Sequence, residues 1–321
     1  MKENIKITNI RAIAIIAVVL GHSIILYSQD WNLYETVRAC PVFDYLKRFI
    51  NLFQMPLFFS LSGYLFALGG KKRRIFDFII NKAKRLLAPF LSVGLLWMIP
   101  IKLFLKYPGY NGCSYLGAIL KLLTGSDLGH LWYLPTLFII FLVVYFVIQI
   151  FGNKRATWLV MFITAIALKI CGDMFGFNFG IVYITYFTTY FWGFVFGGII
   201  TKYKLEELKG RFGKIIIALS VVLSIAFVYM NRTNNILPAL FIILTLYIYV
   251  PKNKNIVLEK ISKNSFGLYL LHSPLIYITF TYLLNSSLIV VSLLNFFVFG
   301  GLAYLMTVLI RKTPMKLLIG G

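Results

Sequence analysis

The chain alternates long apolar runs with short basic or turn-rich segments. Ten runs approach the length of a bilayer-crossing helix, about 20 residues. They cover 10–27, 49–68, 86–105, 131–151, 156–171, 181–200, 215–231, 235–250, 266–284 and 288–310. The pattern predicts an all-α fold, a polytopic integral membrane helix bundle with about ten transmembrane helices. Between the second and third runs, Ile75 to Leu87 keeps helical apolar spacing on a basic background, which predicts a helix lying along the membrane interface. The Gly-interrupted stretch from Phe175 to Phe179 reads as a re-entrant or interfacial piece.

The first run holds two residues that lipid disfavours, Arg11 and His22. Eleven helical steps of about 100° bring them back to one face, roughly 16 Å apart along the axis. Ionisable residues within apolar helices are functional candidates, because they face a protein-lined cavity and not hydrocarbon. The two together predict a polar track running inward from one membrane edge.

Composition agrees with a membrane bundle. The 321 residues are 60% hydrophobic and only 13% charged, against about 25% charged in soluble domains. A net charge of +22 would suggest nucleic acid in a soluble protein. Here Lys and Arg sit between apolar runs, so no nucleic-acid partner is expected and anionic lipid headgroups are. With the N-terminus inside, 24 of the 32 Lys and Arg fall in cytoplasmic segments. That bias predicts a multi-pass protein of the cell membrane with both termini in the cytoplasm. The first run is long for a signal peptide and is expected to remain as an anchor. No linker, low-complexity tract or appended soluble domain is evident, so residues 1–321 are expected to form one transmembrane domain.

Candidate chemistry is sparse. Cys40, Cys113 and Cys171 fall in or beside predicted outer loops and match no zinc or redox spacing; free thiols are the default and a Cys40–Cys113 disulfide the alternative. There are three histidines, and the predicted helix cores contain no Asp or Glu. That pattern points away from a metal site and from an ion-coupled carrier. His272 lies beside Pro274, where a kink is expected. His130 follows Asp127 and opens the segment HLWYLP, whose Trp132 and Tyr133 read mainly as an interfacial aromatic belt. The second run combines Pro56 with Ser60, Ser62 and Gly63, a kink and a close helix approach, and places Gln54 near its outer end. In the basic segment, Arg74, Lys82 and Arg85 are candidates for clamping a phosphate-bearing ligand.

Taken together, several blocks resemble the membrane acyltransferase-3 family. They are Arg11 and His22 at R-x10-H spacing, MPLFFSLSGYLF (Met55–Phe66), KAKRLLAP (Lys82–Pro89), HLWYLP (His130–Pro135) and SFGLYLLH (Ser265–His272). They span nearly the whole chain in family order. The resemblance implies ten spans and transfer of an acyl group, most often acetyl, from cytosolic acyl-CoA to a hydroxyl of a surface or secreted glycan. It implies His22 as the catalytic histidine and Arg11 as its motif partner. The family's R-x-x-R element falls on Lys82 and Arg85, so its first Arg is Lys here. Many relatives carry His before the Met-Pro of the second run, where this chain has Gln54; the weight therefore shifts to His22. Gln54, Ser62, His130, Trp132, Tyr133 and His272 are the expected acceptor-contacting residues. Expected partners are membrane lipids, the glycan acceptor, acyl-CoA and glycan assembly enzymes, with no permanently bound cofactor and no metal. The alternatives are an O-succinyltransferase of the same family, a transporter of a glycan or lipid intermediate, and a structural subunit of a glycan assembly complex.

Overall fold

The computed structural model describes residues 4–29, 39–69, 74–175 and 182–320. Among them the chain is helical throughout, with no strand. The helices are α1 (Ile5–Ser23), α2 (Pro41–Leu68), α3 (Ile75–Phe104), α4 (Tyr115–Thr124), α5 (Tyr133–Phe151) and α6 (Arg155–Phe175). There follow α7 (Val182–Tyr203), α8 (Gly210–Tyr229), α9 (Ile236–Tyr249), α10 (Ile256–Tyr282) and α11 (Leu288–Ile310).

The ten apolar runs fall largely within helices, and seven spans, against the expected ten or so, meet the length and hydropathy of a membrane crossing among the described residues. Seven helical stretches are long and apolar enough to cross a membrane: α1, α2, α3, Tyr115–Phe151, α6, α8 and α11. α9 is apolar but only 14 residues long. α7 and α10 are long enough but fall outside the seven because polar residues lower their mean hydropathy. α7 packs on both α2 and α6, and α10 on both α1 and α11. An element enclosed by protein accommodates Gly, Ser, Asn and His that a lipid-facing helix cannot.

Helix boundaries also differ from expectation in ways that matter for the site. α1 starts at Ile5, capped by the Asn4 side chain, and ends at Ser23, with Ile25–Tyr27 forming a 3₁₀ turn. Its polar first turns are buried because Lys6 donates to the Ile248 carbonyl at 3.1 Å and Asn9 to those of Pro251 and Asn253. α2 begins eight residues early, at Pro41, where a missing N–H costs nothing. The proposed interface helix and the third run form one element: α3 continues through Pro89 and a π-turn at Gly94–Met98. The Phe175–Phe179 reading falls, beyond Phe175, outside the described residues. All three cysteines are free, and Cys171 lies within α6, not in a loop.

α2 and α7 form the tightest seam. A Cβ on Gly63 would strike the Phe194 carbonyl, and one on Gly197 the Ser60 carbonyl. Only glycine allows backbones this close. α1 threads between α2 and α10. Three of the helices that carry sequence blocks, α1, α2 and α10, are therefore neighbours.

Candidate functional site

His22 sits near the end of α1, and His272 lies in the interior of α10. Their rings stack with centroids 5.0 Å apart, and Nδ1 of His22 is 2.7 Å from Nε2 of His272. Nδ1 of His272 lies 2.9 Å from the carbonyl oxygens of Leu268 and Tyr269. Carbonyls only accept, so that nitrogen carries the proton. A neutral His272 then presents a lone pair at Nε2, and His22 donates to it from Nδ1. The arrangement leaves Nε2 of His22 as an unprotonated nitrogen.

His130 completes a histidine cluster, its ring centroid 5.8 Å from that of His272. Its Nε2 donates to the Leu270 carbonyl at 2.9 Å, and its Nδ1 is buried with no hydrogen-bond partner. Asp127, three residues before it, is not its partner. That carboxylate is held by Lys102 at 2.5 Å, by the Tyr110 hydroxyl at 2.9 Å and by the Gly129 N–H at 2.9 Å. It anchors the 3₁₀ turn Gly129–Trp132 from which His130 projects. Among the described residues, no group of three His, Cys, Asp or Glu is arranged to hold a metal ion.

One cavity opens on this cluster, and a second shares Met55 and Tyr269 with it. The first, about 280 Å³, is lined by His22, His130, Gln54 and Trp132 together with Asn234 and Asn235. Gln54 is buried; its amide donates to Asn51 at 2.8 Å, while its Oε1 has no partner. Trp132 stacks on Tyr186 and Tyr190, with centroids 4.5 and 4.9 Å away. Half-buried, it forms with them an aromatic wall on this cavity. Tyr133, only 6% exposed, is interior and lies on the second cavity.

That second cavity, about 310 Å³, is lined by Arg11, Ser62, Lys82, Arg85, Tyr133 and Gly320. Lys82 lies 3.2 Å from the centroid of the Phe141 ring, a cation–π contact that aims the ammonium inward. The Ser62 and Tyr133 hydroxyls are 3.4 Å apart. Arg74 does not join this wall; it is the exposed residue preceding α3. Met55 and Tyr269 line both cavities. One space is therefore cationic and the other is lined with imidazole, carboxamide and aromatic groups. Arg11 and His22, on one face of α1, open onto them in turn.

A family model described as an acyltransferase domain matches residues 4–312. The chain belongs to the acyltransferase-3 family. It is an acyltransferase, and its apolar helices make it a multi-pass membrane protein. No curated protein and no solved structure matches the chain.

Several residues of this acyltransferase's two cavities were not singled out from sequence. Tyr269 sits one turn before His272 on the same helix, so its spacing was readable within the SFGLYLLH block. Asn234 and Asn235 read only as a turn between two apolar runs. The contact between His22 and His272 spans 250 residues, and no local periodicity encodes it.

Proposed function

We propose that this acyltransferase moves an acetyl group from cytosolic acyl-CoA to a hydroxyl of a cell-surface glycan, with His22 as the general base. The observation that carries the reading is the oriented imidazole: with Nδ1–H given to His272, Nε2 of His22 is the free base on the wall of a cavity. Phosphates of acyl-CoA would dock on Lys82 and Arg85, with Arg11 further along the path toward His22. The glycan would enter the other cavity, where aromatic faces and carboxamides suit hydroxyl-bearing rings. In this reading the basic end of the bundle and both termini lie on the cytoplasmic side of the cell membrane, as the Lys and Arg bias favours.

The reaction balances without a further reactant. Nε2 of His22 takes the proton of the glycan hydroxyl as its oxygen attacks the thioester carbonyl carbon. The tetrahedral intermediate collapses with cleavage of the C–S bond. The departing CoA thiolate then recovers the proton from His22, giving an ester and free CoA. The test is acyl-CoA-dependent label transfer to surface polysaccharide in washed membranes, compared between wild type and His22→Ala at equal protein abundance. The variant is expected to transfer no label; retained transfer refutes the assignment. Mass analysis of polysaccharide from cells with and without the gene names the acceptor and the acyl group.

A further inference from the structure

The donor-binding and acceptor-binding spaces touch at one place. Among the described residues, Met55 and Tyr269 alone line both cavities. An acyl group travelling from the cationic space to Nε2 of His22 must pass between them.

The two side chains differ in mobility. Tyr269 is 5% exposed and its hydroxyl donates to the His130 carbonyl. Its ring is wedged edge-on between Tyr133, at 5.7 Å, and His130, at 5.6 Å. Met55 is half-buried, unbranched and carries three rotatable bonds. The backbone beneath it is fixed by close approach: a Cβ on Gly193 would come within 3.3 Å of the Pro56 carbonyl, and Gly197 lies against Ser60 one turn further on. α2 cannot move toward α7 without collision, which leaves the unbranched Met55 side chain as the most adaptable part of this wall.

We propose that Met55, closing against the fixed Tyr269 ring, gates the passage between the cavities and sets the size of the acyl group that reaches His22. The inference rests on the donor-to-acceptor reading above. The gate also selects on charge. A thioether offers no hydrogen-bond donor, and the Tyr269 hydroxyl is already committed to His130. A carboxylate passing the gate would shed water and receive nothing in exchange. The passage therefore favours short, uncharged groups and disfavours succinyl.

The experiment measures transfer from acetyl-, butyryl-, hexanoyl- and succinyl-CoA to endogenous surface glycan in membranes containing the full chain. Space for added methylenes in an apolar passage is worth about tenfold or more in selectivity. Met55→Ala is expected to raise the hexanoyl-to-acetyl ratio by about that factor, and the isosteric Met55→Leu to keep the wild-type ratio. Met55→Phe is expected to depress transfer from all four donors, hexanoyl the most. An unchanged hexanoyl-to-acetyl ratio in Met55→Ala with acetyl transfer intact overturns the gate and leaves the general reading standing. If Met55→Ala does not accumulate, wild-type transfer rates in Met55→Phe overturn it equally. Failure of the wild-type protein to use any of the four donors overturns the reading itself, and the gate with it.

Discussion

Nδ1 of His22 lies 2.7 Å from Nε2 of His272, and the far nitrogen of His272 is held by two backbone carbonyls of its own helix. The second imidazole thus fixes the tautomer of the first, with no carboxylate bonded to either ring among the described residues. His22→Ala removes the base and is expected to lower kcat by about 10²–10⁴-fold. His272→Leu deletes the acceptor and is expected to lower kcat with little change in the KM for acyl-CoA. His272→Gln, whose side-chain oxygen can take the same hydrogen bond, should recover part of that loss. Equal activity in the Leu and Gln variants would show that His272 only fills space.

Lys102 and Lys169 are both buried. The Asp127 carboxylate that Lys102 neutralises is only 27% exposed, while Asp173, the partner of Lys169, is 60% exposed and stays hydrated when the lysine is lost. Breaking a buried pair strands a charge and costs about 3–5 kcal/mol; an exposed pair is worth about 0–1 kcal/mol. Burial, reinforced by the Asp127 charge, pushes the Tyr110 hydroxyl well above its ordinary pKa, so it remains a donor to that carboxylate. Lys102→Met is expected to lower the melting temperature in detergent clearly, and Lys169→Met hardly at all. Lys102→Met should also reduce acyl transfer beyond any loss of protein, since Asp127 holds the turn that presents His130.

How much of this was legible in sequence depends on range. The positions of helices followed from apolar runs, and the shared face of Arg11 and His22 followed from helical period. The π-turn that joins the two halves of α3 did not: its basic first turns and apolar remainder carry different patterns. Nor did the interior character of α10, whose polar residues lower its hydropathy because they face protein. Trp132 and Tyr133 were assigned to a lipid interface because amphipathic aromatics favour that depth. In the fold both line cavities, Trp132 stacked on Tyr186 and Tyr190 of α7 and Tyr133 packed on Phe59 of α2 and Tyr269 of α10. The candidate site itself was visible as scattered blocks; what sequence lacked was the pairing of His22 with His272.

The α2–α7 seam makes a steric prediction. Gly197→Ala drives a methyl into the Ser60 carbonyl, whereas Gly301 has no atom within 4 Å of where its Cβ would stand. Overpacking of this kind costs about 1–3 kcal/mol. Gly197→Ala should therefore lower the melting temperature and disturb the adjacent Met55 passage, while Gly301→Ala should leave both unchanged. Equal melting temperatures for the two variants would show that the seam yields more easily than its backbone contacts imply.

Lys82 occupies the cationic cavity as a point charge where the family resemblance expects a guanidinium, with Arg85 one turn away. A hydrogen bond to a charged group contributes about 1.5–3 kcal/mol, so losing either cation should raise the KM for acyl-CoA by about tenfold or more with kcat nearly preserved. The loss should shrink as salt rises, because both groups are partly solvated and the Debye length falls to about 3 Å at 1 M. Lys82→Arg restores a planar fork able to grip phosphate at two oxygens, and is expected to lower KM below wild type if the Phe141 ring accepts the wider cation. Kinetics of Lys82→Ala, Arg85→Ala and Lys82→Arg at low and high salt separate the two roles these residues could have. A KM that stays at the wild-type value in both alanine variants would mean that the charges only hold the helix at the membrane surface, and that the donor binds elsewhere.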